Sequence, residues 1–310
     1  MKPWLTRAAV LVLAVALGIA LGAGPLQHSN AQRDKELAAQ QAQVARLHRQ
    51  VAGLQASGAF AEAFATATGP TLTRAVLAGR SVAVVTLPGA DPALVTQVLA
   101  DVAAAQGRVT AQVALAPSMA RSSSRQLVEA LTSQMLAQTS GVQVPADAGG
   151  YARFGALLAR ALGTGPSGQP AQAAYDPTAV GIVTGLQSAN LISLPQPVSA
   201  RAGLAVVVAG PQAASDAAAA ENAVPVTLLR AFGAQLPTVV VGTSGAAGSR
   251  GVLGALRASD ARTVVSTVDS IQTAMGRVAA VLALAARAGG TIGAYGAVKA
   301  ADGPVPGAKH

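Results

Sequence analysis

Short Val-rich runs punctuate this chain between residues 80 and 268: Arg80–Leu87, Gly203–Gly210, Thr238–Gly242 and Thr263–Val268. None of them alternates apolar with polar residues in the strict period of two that marks a half-solvated strand. Runs of this kind are buried on both faces, as in a parallel sheet covered by helices on either side. Two further strands are read at Val109–Leu115 and, shorter, at Leu191–Leu194. Helical patterns lie between them. Asp91 can cap a helix running to about Ala105, with Pro92 at its first position and Leu94, Val95, Val98, Leu99 and Val102 on one face. Gly107 closes it. Helices are also expected over 122–138, 149–162, Val180–Ala189, Ala213–Phe232 with a break at Pro225, and Met275–Ala288. This alternation predicts an α/β class with a Rossmann-like, mainly parallel open sheet over residues 58–296. Residues 163–177, rich in Gly, Pro and Gln, mark a loop and a candidate sub-boundary, and the tail 297–310 is expected to be disordered.

The N-terminus is of a different kind. Lys2 and Arg7 precede an unbroken apolar segment, Ala8–Gly24, which spans roughly 26 Å as a helix, close to a bilayer core. Pro25 ends it, so residues 1–26 form an expected membrane anchor. A cleaved signal peptide is the other reading, with Ser29-Asn30-Ala31 before the cut. The anchor fits the heptad pattern that follows at once, and the N-terminal charges place that end in the cytoplasm and the bulk of the chain outside. Over residues 29–56, Leu37, Val44 and Val51 fall at a, and Gln40, Leu47 and Leu54 at d. A short stalk follows from this pattern, either packed on its own domain or paired in parallel with a second copy. Shared tethering to one membrane favours pairing, and with it a homo-oligomer.

Composition excludes several chemistries. There is no cysteine, so no disulfide, thiolate nucleophile or iron–sulfur ligation arises. The three histidines are His28, His48 and His310, far from one another in sequence. A net charge of +9 is carried by scattered arginines with no basic run, and aromatics are 3%, so nucleic-acid binding is not expected. Acidic residues are spread singly, which leaves no carboxylate pair for acid–base work. A serine hydrolase lacks a histidine partner within the α/β region. An enzyme is therefore not expected, and no resident cofactor is read.

One ligand loop is a candidate. Gly242-Thr243-Ser244-Gly245 follows a strand at the end where parallel sheets bind ligands, and Asp269 follows the next strand. The glycine loop lacks both the dinucleotide and the phosphate-loop order, so a plain loop and an anion cradle both stay open. Asp269 reads as a turn or cap residue or as a ligand-binding carboxylate. Metal ligands cannot be assigned.

The order of motifs resembles a known family. A short charged N-terminus, the run Leu11–Gly22 and a heptad stalk are one half. The other half is Ser266-Thr267-Val268-Asp269, then Gly276-Arg277-Val278 opening a helix with Leu282-Ala283-Leu284, then Gly289-Gly290 and Gly293-Ala294-Tyr295-Gly296. In this order the chain resembles the mycobacterial copper transport protein B family of actinobacteria. The resemblance implies a cell-envelope protein with a membrane anchor, linked to copper efflux or tolerance, with channels in the outer membrane and copper as the transported ion. The residues themselves offer no soft-ligand cluster, and Met119, Met135 and Met275 stand apart. The Val-rich runs also lack the alternation of roughly 10-residue barrel strands. A non-enzymatic scaffold that binds other envelope proteins is the alternative.

Overall fold

A computed structural model of the chain describes residues 25–120, 124–165 and 174–307. The chain divides into two compact units, Met1–Ala61 and Glu62–His310. Among the described residues no helix is long and apolar enough to cross a membrane. The expected anchor, residues 8–24, lies outside the described residues.

Helix α1, Pro25–Thr73, runs across the division between the units and is longer than the stalk expected over 29–56. Beyond Leu54 the apolar period fades, but the Ala-rich sequence 59–68 keeps strong helix propensity, so the helix goes on without a seam. In the first unit Leu37, Val44, Leu47, Val51 and Leu54 are all exposed along the helix, with Gln40 the polar member of the seam.

The second unit is a seven-stranded sheet. Its strands are β1 (Ser81–Thr86), β2 (Arg108–Leu115), β3 (Ile192–Gln196), β4 (Leu204–Val208), β5 (Thr238–Val241), β6 (Val265–Val268) and β7 (Ala294–Tyr295). Their order across the sheet is β3-β2-β1-β4-β5-β6-β7. Every pairing is parallel except β3 with β2, which is antiparallel. Pro195 sits within β3, tolerated because that strand is an edge. Because β1 and β2 pair into the same sheet as β4–β7, residues 163–177 do not divide the region into two domains. Gly163 even bridges to Ala202, and Thr164 N–H donates to the Ala202 carbonyl at 3.0 Å. Residues 166–173 of that segment lie outside the described residues.

Successive residues of the strands feed two cores. On one side Val82, Val84, Leu204, Val206 and Val208 pack under α2 (Pro92–Ala104) and α9 (Ala274–Ala288). On the other, Ala83, Val85, Ala205 and Val207 pack under α3 (Arg125–Gln138), α4 (Gly150–Leu162) and α5 (Pro177–Ser188). Joining them there are α7 (Ala223–Gln235) and α8 (Val252–Arg257). The expected two-sided burial of the Val-rich runs is the physical basis of this three-layer arrangement. Asp91 caps α2 as expected, accepting from Ala93 N at 2.8 Å.

Two expectations shift. The helix expected over Ala213–Phe232 is broken at Glu221–Asn222, between α6 (Asp216–Ala220) and α7, three residues before Pro225. Pro225 falls in the first turn of α7, where its missing N–H leaves no gap. The start of the expected strand Thr263–Val268 belongs instead to a 3-10 turn, Asp260–Thr263.

Nor is the C-terminal tail free through residue 307. Asp302 accepts from Ala294 N at 2.8 Å, its own N–H donates to the Ala294 carbonyl at 3.1 Å, and Gly296 N–H donates to Gly303 at 3.2 Å. This pins 296–303 along β7, so a segment with little local propensity is ordered by contacts distant in sequence.

Candidate functional site

The strand order reverses between β1 and β4, the usual place for a ligand crevice in an open parallel sheet. Here it is shut. A Cβ on Gly210 would meet the Pro88 carbonyl at 2.5 Å, and one on Gly89 would meet Pro211 at 3.4 Å, so the two loops rest on each other. The open space lies farther along, at the carboxyl ends of β5 and β6.

That end brings the predicted loop residues together. Gly242 N–H donates to the Val268 carbonyl and Ile271 N–H to the Gly242 carbonyl, which sets the loop after β5 beside the loop after β6. Gly242-Thr243-Ser244-Gly245 then enters a 3-10 turn, Gly245–Ala247. The amides of Ala246, Ala247 and Gly248 donate back to Thr243, Ser244 and Gly245, so they are turned away from any ligand. Gly242 serves packing, since a Cβ there would meet Ala246 Cβ at 2.9 Å, and so do Gly251 and Gly254 just beyond the loop, where a Cβ would lie 2.0 Å from the Ala246 carbonyl and 2.2 Å from that of Gly248; at Gly245 the nearest contact is an ordinary 3.7 Å. This arrangement favours the plain loop over the anion cradle.

Asp269 is fully buried and has four partners. Oδ1 accepts from Ser270 Oγ at 2.6 Å and Ala297 N at 2.8 Å; Oδ2 accepts from Arg257 Nη1 at 3.0 Å and Val298 N at 3.2 Å. Its lone pairs are thereby filled, and it does not cap α9. The cap of α9 is Thr273, whose Oγ1 accepts from Gly276 N at 3.1 Å. Arg257 is the residue that sequence reasoning missed. Its Nε donates to Thr267 Oγ1 at 2.9 Å, Nη2 to the Tyr295 carbonyl at 2.8 Å, and Nη1 to the Val298 carbonyl as well as to Asp269. A lone arginine at the end of a short helix gives no local signal for such a role.

The motifs that carry the family resemblance converge on this arginine. Ser266 Oγ accepts from Gly293 N, Thr267 and Tyr295 bind Arg257, and Gly296, at φ +125°, passes so close to Asp269 that a Cβ would lie 2.5 Å from its carboxyl carbon. Gly276 lets α9 approach the Ser270 carbonyl, where a Cβ would sit 2.0 Å away. Arg277 pairs with Asp101 at 3.4 Å; burial raises the Asp101 carboxyl above its ordinary range, against the opposing pull of that arginine. The motif residues build the edge of the fold.

Between α9, the last turns of α1 and the tail lies a cavity of about 450 Å³. Ser244, Ser270 and Gln272 form its polar end, and Phe64, Leu72, Met275 and Val305 are among its apolar walls. Gln272 Nε2 donates to Ser244 Oγ, and Gln272 Oε1 accepts from Ser244 N at 3.3 Å. Glu62 closes the amino end of α9, both carboxylate oxygens accepting from Ala274 N at 2.8 and 2.9 Å.

The family model described as copper transport outer membrane protein, MctB, matches residues 6–306. The chain belongs to this family. No curated protein matches it. Membership of the MctB family makes copper the substrate to test against the donors present. Among the described residues no three His, Cys, Asp or Glu side chains gather as a metal site. Of the sulfur donors among the described residues, Met119 is buried in the core, Met135 packs partly buried against the same core, and Met275 is exposed at the cavity mouth.

Proposed function

We propose that the chain is a non-enzymatic envelope protein of copper transport and tolerance, anchored through residues 8–24 with its N-terminus in the cytoplasm and its bulk outside. The family match over residues 6–306 is the observation that carries this reading. Copper is written here as cargo, not as a resident cofactor. The seam Leu37, Val44, Leu47, Val51 and Leu54 supports a parallel homo-oligomer, because exposed a and d residues gain burial when a second tethered stalk meets them. In that reading copper handling belongs to the assembly, and the α/β unit provides its rigid body. The test is deletion of the gene followed by a copper load. Raised cell copper and raised copper sensitivity, both restored by the intact gene, are expected; unchanged values for both would overturn the reading.

A second reading is a scaffold that binds other envelope proteins. The scatter of soft donors among the described residues favours it. A Cu(I) titration of the purified full-length chain separates the two roles: weak, non-stoichiometric binding is expected, and a tight stoichiometric complex would assign copper binding to this chain itself.

A further inference from the structure

We propose that the cavity at the carboxyl ends of β5 and β6 binds the single alkyl chain of an uncharged amphiphile, whose hydroxyl-bearing head rests on Ser244, Ser270 and Gln272. This inference stands apart from the copper reading and does not depend on it. Three observations carry it.

The first is size and chemistry. A volume of about 450 Å³ falls within the range of small-molecule sites, and its walls are mainly apolar; Ser244, Ser270 and Gln272 are linked by hydrogen bonds, while Thr68 on α1 bonds its own helix. The second is the rim. Among the described residues, the second unit leaves five large apolar side chains exposed: Phe64, Leu72, Leu127, Val180 and Met275. Three of these, Phe64 at 59%, Leu72 at 56% and Met275 at 51%, border this one cavity. Scattered apolar residues need no explanation, but a cluster at a cavity mouth marks a binding surface.

The third is charge. Among the described residues Asp269 is the only ionisable one in the lining, and its lone pairs are already filled by Ser270, Ala297, Val298 and Arg257. The amino end of α9, which would otherwise attract an anion, is occupied by Glu62. Among the described lining residues neither a carboxylate nor an ammonium head finds a free counter-charge, whereas a neutral head finds hydrogen bonds. Ser270 gives its hydrogen to Asp269 at 2.6 Å. Ser244 Oγ receives from Gln272 and faces Ser270 Oγ as a long acceptor at 3.4 Å, so among the described residues its own hydrogen has no acceptor. A hydroxyl or ester oxygen placed at this end offers Ser244 one.

The chain has no cysteine, so a single one can be introduced and labelled. The experiment places the full-length Met275→Cys protein, labelled with bimane, in nanodiscs and titrates it with 1-monomyristoylglycerol. A saturable blue shift is expected. Myristate and myristyltrimethylammonium should bind at least about ten-fold more weakly, about 1.4 kcal/mol or more. Adding Thr68→Trp, which fills the cavity from α1, should abolish the shift, and adding Leu72→Ser, at an exposed position, should weaken it several-fold. The same label at Leu127→Cys should not respond. No saturable shift, or equal binding of all three amphiphiles, would overturn the proposal. So would a label shielded before any addition and released on dilution, which would show a second copy covering the face.

Discussion

Replacing Asp269 with alanine removes the acceptor for four donors at once: Ser270 Oγ, Ala297 N, Val298 N and Arg257 Nη1. The ion pair at 3.0 Å is enclosed, with the Arg257 side chain 10% exposed and that of Asp269 0%. Removing one partner of a buried pair leaves the other charge uncompensated, a loss of about 3–5 kcal/mol. Two backbone amides also lose their acceptor, each worth about 1 kcal/mol if they stay buried. They need not stay buried: the segment after Tyr295 can peel into water, which limits that second contribution and turns part of the loss into local opening. Asp269→Ala is therefore expected to destabilise the second unit by at least about 3 kcal/mol, roughly 6 °C or more in Tm for a unit of this size. Urea unfolding measures the loss, and amide exchange at Ala297 and Val298 reports the peeling. Asp269→Asn keeps an acceptor and should fall between wild type and alanine. A loss below about 1 kcal/mol, with unchanged exchange at both amides, would refute the reasoning that this carboxylate and Arg257 lock the C-terminal edge.

Other outcomes follow from the same geometry. Gly155→Ala places a Cβ 2.2 Å from the Leu228 carbonyl, so α4 and α7 must move apart; a loss of roughly 1–3 kcal/mol is expected, read as a lower urea midpoint. Val44→Asp with Leu47→Asp should reduce cross-linking between full-length chains in membranes while the circular dichroism of the α/β unit is unchanged; undiminished cross-linking would rule the seam out as a pairing surface. Burial alone would raise Asp176, but the Ala179 N–H bond and the charges of Arg160 and Arg201 together hold it below its ordinary value. A carboxyl depressed in the folded state stabilises above its unfolded pKa of about 3.9 and loses that contribution as pH falls through the lower folded value. Asp176→Asn, which can still cap α5, should flatten the acid side of the stability profile; an unchanged acid limb would show that these pairings contribute nothing.

Much of the fold was legible because it is written locally. Val82–Val85 and Leu204–Val208 are apolar on both sides of the strand, and between helical patterns such runs fit a parallel sheet covered on both faces. Asp91-Pro92 announced α2 by a cap and a pre-set φ. The same pair at Asp176-Pro177 opens α5, yet the apolar period that begins at Val180 pulled the expected start too far along the chain. The place of the candidate loop was legible too: position after a strand in a parallel sheet is a topological property, and Ser244 and Asp269 both line the cavity there. What those residues do there was decided only by tertiary structure. Arg257, Thr267, Asp269, Tyr295 and Val298 meet across gaps of up to 41 residues, and no periodicity encodes a meeting of that kind. The antiparallel direction of β3, the closure of the switch point by Gly210 against Pro88, and the anchoring of the tail by Asp302 belong to the same class. Helix and strand follow from the spacing of neighbours along the chain; a lock or a cavity follows from which distant surfaces exclude water together, and that is settled only when the layers pack.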